Sequence, residues 1–410
     1  MNTYDIVIIG GGISGLYAGY NILKKSPNKS IAILEKSSKQ WIGGRAGNDN
    51  FYGSQVSTGA GIGRKDTNPL LIKLLKELGI NFYEFNVSIE YASTIQEQLD
   101  VVKVLGQLKK EFVANKSKSK SLTFKKFASQ FLGSSTYKNF IISSGYSDYE
   151  KADVYETLYN YGMDDNKSGW IGLSIPWKKL VIALCDKIGW SNIKCSTNVI
   201  KIQEIDNFYK IYTESDKIYY AKQVVIATTI NQMRRLIPGA NGKSSPYQEI
   251  CSQPFLRVYA KFDKESTEII KQIVPTYTVV PGPLQKIIPI NPAQGIYMIA
   301  YSDNDKALAL EKYIENTDRN RRIFQKLIKT SLGIDENLKL IGIKGYFWSE
   351  GTHYYKPLDT KSNFKTRKTF LTHIQNPHKQ MYVIGEAVSR YQGWVEGGLQ
   401  SVETILHKLK

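Results

Sequence analysis

The first apolar run of the chain, in DIVII within Tyr4–Ile9, has no polar position on either face after Asp5. That is the pattern of a parallel strand buried on both sides. A glycine cluster follows, and from about Ser14 to Leu23 the apolar positions return at helical spacing. Ser30–Leu34 is a second buried strand, ending at Glu35. Asn68, with Pro69 behind it, caps a helix that runs to Leu78 and stops at Gly79. From roughly Glu90 to Tyr161 the period is helical, with Ile95, Leu99, Val102, Leu105, Leu108 and Phe112 on one face. Another helix spans Ser174 to Gly189, with Pro176 in its first turn. The period then falls to two: NVIKIQEI, FYKIYTE, KIYYAK and QVVIAT read as a meander ending in a buried strand at Val224–Thr228. Further strands are expected over 255–301, helices over 305–332, a strand over Leu338–Trp348, and a last buried strand at Met381–Ile384 before a terminal helix. Buried runs of parallel type at the start, middle and end imply an α/β fold in which one domain is assembled from separated pieces.

Composition narrows this picture. A chain of 410 residues suits two domains, and 42% hydrophobic residues suffice for real cores. Lys and Arg number 55 against 37 Asp and Glu, a net charge of +18. The lysines are scattered; the densest run, KSKSKS at Lys116–Ser121, reads as a solvated loop, so no nucleic-acid partner is expected. Cys185, Cys195 and Cys251 are too few and too far apart for a disulfide framework, and the four histidines lack metal-ligand spacing, so no metal is expected. No apolar run approaches the ~18 residues of a membrane span. With no visible leader and no tail after Lys410 to serve as an anchor, a cytoplasmic protein is expected.

Candidate chemistry begins at Gly10, Gly11, Gly12, Ile13, Ser14 and Gly15. Gly10, Gly12 and Gly15 have the spacing of a dinucleotide fingerprint: a tight turn, a close backbone approach to a pyrophosphate, and close packing of helix on strand. The following helix turns its free N–H groups toward the phosphates. Glu35, at the end of the second strand and followed by Lys36, is placed to accept from ribose hydroxyls, which disfavours a 2′-phosphate. Gly43-Gly44-Arg45 adds backbone that can press on a diphosphate and a guanidinium to neutralise it. A second glycine-rich loop, SQVSTGAGIGR, runs from Ser54 to Arg64 and holds Gly59, Ala60, Gly61 and Ile62.

Together with the turn at Thr58-Gly59-Ala60, the strand QVVIAT and the stretch MYVIGEAVSRYQGWVEGGLQS from Met381 to Ser401, these motifs resemble the flavin-containing amine oxidase family. That family includes monoamine, polyamine and L-amino acid oxidases. The likeness covers both ends and the middle of the chain and is thin over about 85–170 and 265–340. It implies FAD as cofactor and a Rossmann-like FAD-binding domain built from discontinuous segments (1–80, 170–250 and 350–410). An α+β substrate-binding domain (81–169 and 251–349) would complete the two-dinucleotide-binding flavoprotein fold of the glutathione reductase type. It also implies that Val199, Thr228, Gly385, Glu386, Gly393, Trp394 and Val395 lie at the cofactor, with Glu386 accepting from ribityl hydroxyls and the helix after Gly393 facing the flavin N1–C2=O edge.

The family flanks the substrate amine with two aromatic rings. The Gly393-Trp394 pair is closest to L-amino acid oxidases, and Trp394 would supply one ring. Tyr354, in FWSEGTHYYKP, would supply the other, with Tyr355 as alternate; His353 falls where monoamine oxidases place a flavin-linked cysteine, and an ordinary buried histidine is the expectation there. Arg257, in PFLRVYAKF, takes the register of the family's lysine near flavin N5; it cannot release its proton, and it could grip a carboxylate. Arg64 is a second candidate carboxylate clamp.

The implied function is FAD-dependent oxidation of a C–N bond in an amine or L-amino acid. Hydride would leave for flavin N5, the imine would hydrolyse, and O2 would be reduced to H2O2. The basic chain, with Arg64 and Arg257, leans toward an amino acid. Two alternatives are a C–C desaturase or porphyrinogen-oxidase-like flavoenzyme, and a flavin-binding protein that docks a partner without turnover.

Overall fold

The computed structural model describes residues 3–167, 169–358 and 364–409. The chain opens with β1 (Thr3–Ile9), α1 (Ile13–Lys25) and β2 (Ile31–Leu34), and α2 (Pro69–Glu77) follows. A helical block holds Val101–Ala114, Phe124–Leu132 and Ser134–Ser144. After the helix Trp177–Ile188 comes the meander β3 (Val199–Ile205), β4 (Phe208–Thr213) and β5 (Ile218–Ile226). Then follow β6 (Ile250–Phe262), β7 (Lys286–Asn291), β8 (Ile296–Asp303) and β9 (Leu340–Tyr355), and finally β10 (Met381–Val383) and α3 (Val395–Glu403).

Two sheets organise these elements. In the first, β1 lies between β2 and β5, parallel to both: Ile6 pairs with Ile31 on one side and with Gln223 on the other. β10 adds to β5 in parallel, and β3 and β4 continue antiparallel beyond it. The apolar run of β1 divides by alternation. Ile6 and Ile8 enter the core under α1 and α3, while Val7 and Ile9 enter the core on the other face with Met233 and Val383. Both faces are covered, which explains a strand with no polar side. The second sheet runs in the order β9-β6-β8-β7, then Tyr277–Val279 and Ile89–Tyr91.

The helical period expected from Glu90 to Tyr161 starts too early. Ile89–Tyr91 is a strand paired in parallel with Tyr277–Val279, and Ile95 lies in a turn before the helix that begins at Val101. A tertiary partner nearly two hundred residues away decides this conformation, which local period cannot register. The strand expected over Leu338–Trp348 extends to Tyr355 and crosses the expected domain boundary at 350.

The first sheet fixes one edge of the molecule. β1 leads to Gly10, β2 to Glu35, β5 to Thr228 and β10 to Gly385, so four parallel strands deliver their carboxyl ends side by side. Strand order reverses about β1, which opens a crevice there. Gly10 turns the chain at φ +107, and α1 packs so close that a Cβ on Gly15 would lie 2.0 Å from the Gly10 carbonyl oxygen. By contrast, a Cβ on Gly12 would meet nothing within 4 Å. Gly15→Ala should therefore cost about 1–3 kcal/mol of stability despite Ala's better helix propensity, and Gly12→Ala should stay within about 0.5 kcal/mol of the parent. Urea unfolding midpoints of the two variants check this; equal midpoints would contradict the packing.

Candidate active site

At this edge lies a cavity of about 1520 Å³. Ligand pockets usually span roughly 300–1,000 Å³, so this one has room for a dinucleotide and a second molecule. Its walls include Gly10, Gly12, Ile13, Ser14, Glu35, Lys36, Gly43, Gly44, Arg45, Gly59, Ala60, Gly61, Ile62, Val199, Thr228, Gly385, Glu386, Gly393, Trp394 and Val395. Gly11 and Gly15 stand behind the wall: Gly11 donates its N–H to Glu35 Oε2 at 2.6 Å, and Gly15 packs on Gly10. Glu35 takes one more bond, from the Ser37 N–H at 2.7 Å. A carboxylate has about four acceptor positions, so Glu35 keeps capacity for two hydroxyls. Open space over Gly12, the free amino end of α1 and a half-filled Glu35 fit the adenosine and diphosphate of FAD.

Glu386 is different. Its Oε1 accepts from the backbone N–H groups of His353 (2.9 Å) and Gly393 (2.7 Å); its Oε2 accepts from Arg45 Nη1 (3.1 Å) and His353 Nδ1 (2.6 Å). The expected acceptor of ribityl hydroxyls is thus saturated, and it acts instead as the anchor of Arg45. His353 Nε2 faces the Ile230 N–H at 3.2 Å, so both ring nitrogens are engaged. Burial alone would raise the Glu386 carboxyl; His353, Arg45 and the Gly393 N–H outweigh it and hold the group at about 2.

The second aromatic wall is not where the motif placed it. Tyr354 and Tyr355 do not line this cavity. β9 pairs with β6 through a bulge, matching Phe255 to Trp348 and Cys251 to Tyr354, which carries the two tyrosines past the cavity. The Tyr355 hydroxyl bonds the carbonyls of Ala387 and Ser389 inside the core. Trp348 lines the cavity instead, its indole N–H held by the Thr58 carbonyl at 2.7 Å. A Trp in a strand register facing a glycine-rich loop was the available signal.

Trp394 is held just as firmly. Its indole N–H donates to Asn68 Oδ1 at 2.9 Å, and its ring meets Trp177 edge to face at 6.0 Å. Asn68 also takes the Arg64 N–H at 2.7 Å and so does not cap α2. Glu396 does that from α3, its two oxygens accepting the N–H groups of Leu70 (2.9 Å) and Leu71 (3.0 Å). The starts of α2 and α3 are thereby joined.

Two arginines reach the same chamber with different electrostatics. Arg64 is paired with Asp165, which also accepts from the Tyr146 hydroxyl, so it is no free carboxylate clamp. Asp165 lies 101 residues away and had no motif to announce it. Arg257 is 6% exposed; it meets the Ser57 hydroxyl at 3.2 Å, the Tyr301 ring at 4.3 Å and the Tyr259 hydroxyl, and no ion pair with a carboxylate joins them among the described residues. Asp148, also on the wall, is pushed up to about 7 by burial and by Asp303.

A family model described as flavin containing amine oxidoreductase matches residues 13–403. A solved double mutant of putrescine oxidase superposes with a TM-score of 0.76 at 13% identity, covering 100% of this chain and 99% of that one. Wild-type putrescine oxidase bound to putrescine gives 0.74 at 13% identity, covering 99% of both. A curated relative, uncharacterized protein R188 of Acanthamoeba polyphaga mimivirus, is 38% identical over 53 residues, 12% of this chain and 10% of that protein. No helix among the described residues is long and apolar enough to cross a membrane.

The Glu386 cluster generates a pH prediction. The folded carboxyl lies below its ordinary 4.5, so its stabilisation is complete above that pH and is lost as pH falls toward 2. The contribution is about 3 kcal/mol. Unfolding followed by urea at pH 7, 5, 4 and 3 should show Glu386→Gln losing about 2 kcal/mol less than the parent by pH 3; parallel limbs would contradict the buried pairing.

Proposed function

We propose that this chain, which belongs to the flavin-containing amine oxidoreductase family, oxidises the C–N bond of an amine that carries a carboxylate, an L-amino acid. The observation that carries the reading is Arg257: a buried guanidinium on the cavity wall with no acidic partner among the described residues. A buried charge without a counter-charge is costly. A substrate carboxylate would remove that cost and gain charge-assisted hydrogen bonds to a planar fork.

The other residues bind, orient and exclude water. Glu35 would receive the ribose, Arg45, anchored on Glu386, would face the diphosphate, and the amino end of α1 would supply N–H groups. Trp348 and Trp394, each fixed by its indole N–H, flank the substrate and keep its α-carbon dry and oriented. FAD, when bound, would supply the hydride acceptor, with O2 as the terminal oxidant. In balance, amino acid and O2 give imino acid and H2O2, and water then converts the imino acid to oxo acid and ammonia. No side-chain base is required for an amine that arrives neutral.

Anaerobic addition of L-amino acids to the holoprotein, followed by visible absorbance, tests this: at least one should bleach the flavin, and failure of all would contradict it. Arg257→Met should raise KM for that amino acid by about 10- to 100-fold while leaving KM for the decarboxylated amine unchanged. Equal increases for both would remove Arg257 from carboxylate binding.

A further inference from the structure

Behind the Arg257 wall sits Lys286, on β7. It is fully buried, and its Nζ has no hydrogen-bond partner. Three tyrosine rings enclose it: Nζ lies 2.6 Å from the centroid of Tyr146, 4.5 Å from Tyr301 and 5.9 Å from Tyr277. All three rings belong to the wall of the cavity. Tyr301 is shared, since it also carries the Arg257 guanidinium at 4.3 Å. The acids nearby are already engaged. Asp165 pairs with Arg64; Asp303 accepts the Ser147 N–H at 2.8 Å and Gln285 Nε2 at 3.3 Å; Asp148 accepts from the Tyr161 hydroxyl at 2.8 Å. The backbone makes room for the lysine stem: a Cβ on Gly145 would lie 2.8 Å from Lys286 Cε.

Rings around an amine, with carboxylates in a second layer, are the chemistry of an aliphatic-ammonium subsite. Here a chain residue occupies it. We infer that Lys286 fills from within a subsite which the second amine of a diamine would otherwise enter, and so sets the cavity against diamines. Burial pushes the Lys286 ammonium well below the usual lysine range, against the pull of Asp165, Asp303 and Asp148, in keeping with a slot that holds the amine without pairing it. This role rests on the proposed reading of the cavity as an amine-oxidising site, and it narrows the substrate to one with a single amine near the Arg257 fork.

Lys286→Ala removes Cγ, Cδ, Cε and Nζ, the atoms that n-propylamine would replace. In the variant holoprotein, n-propylamine should raise the thermal midpoint saturably and by more than it does in the parent, while 1-propanol should affect the two proteins alike. The variant should also bind 1,4-diaminobutane about tenfold tighter than 1-aminobutane, while the parent binds the two alike. Equal stabilisation by the amine and the alcohol, or the same diamine preference in both proteins, would overturn the assignment. Should Lys286→Ala not fold, Lys286→Met keeps the test: an apolar side chain of similar length should fold with a midpoint at or above that of the parent, and a fall of more than about 5 °C would mean that Nζ makes a required polar contact. These readouts need no turnover. A flavin that no amino acid bleaches would strike the oxidase reading alone, and a diamine that binds the parent tenfold tighter than the monoamine would strike the role of Lys286 alone.

Discussion

The carboxylate of Glu386 lies where three segments remote in sequence meet: Arg45 from the glycine-rich loop after β2, His353 from the end of β9, and Gly393 from the turn before α3. Removing such a charge from water costs several kcal/mol, and four donors offset that only if all are in place. The bond to Gly393 sets the turn that leads into Trp394 and α3. The bonds to His353 set the end of β9, and with it the register that puts Trp348 on the cavity wall and Tyr355 in the core. The pair with Arg45, joined by the Gly351 carbonyl at 2.7 Å, fixes Nη1 of a guanidinium that lines the cavity. One saturated carboxylate thus ties the two sheets together at the point where their chemistry must meet.

Charge inside the chamber is arranged unevenly around this tie. Arg45, Arg64 and Lys167 each have a carboxylate, in Glu386, Asp165 and Asp164. Glu396 is committed to the amino end of α2. Arg257 and Lys286, which share the Tyr301 ring, are in no ion pair among the described residues. At the deep end Arg257 is left without an acidic partner among the described residues although Asp165, Asp303 and Asp148 surround Lys286, while the α1 end presents a helix terminus with no acid in its first turn. An anionic group is favoured at both ends, a diphosphate at one and a carboxylate at the other.

How much of this was legible in the sequence follows from the range of the interactions. The β1–Gly10–α1–β2–Glu35 unit was readable because each part is local: two apolar runs, a glycine spacing and an acid at a strand end. The meander 199–226 and the strand at 381–383 were readable for the same reason, and their assembly with β1 followed from their shared buried character. The contacts that decide the site were not readable. Asn68 reads as a helix cap, yet the indole of Trp394, 326 residues away, takes its oxygen, and Glu396 caps the helix instead. Arg64 reads as free until Asp165 is brought beside it. Tyr354 is misplaced because a bulge in the β6–β9 pairing shifts the strand; Pro254 marks the bulge, but the shift it makes in the partner strand is a tertiary matter. Lys286 stands in an otherwise apolar strand, and only tertiary packing shows that water never reaches it.

The central claim is that distant parts of the chain close one cavity around a single dinucleotide. Titration of the cofactor-free protein with FAD, followed by flavin fluorescence, tests it most directly. The account predicts saturable binding at one FAD per chain, weakened by loss of the Glu386–Arg45 pair although neither strand nor helix is altered; absence of saturable binding by a folded protein would contradict it.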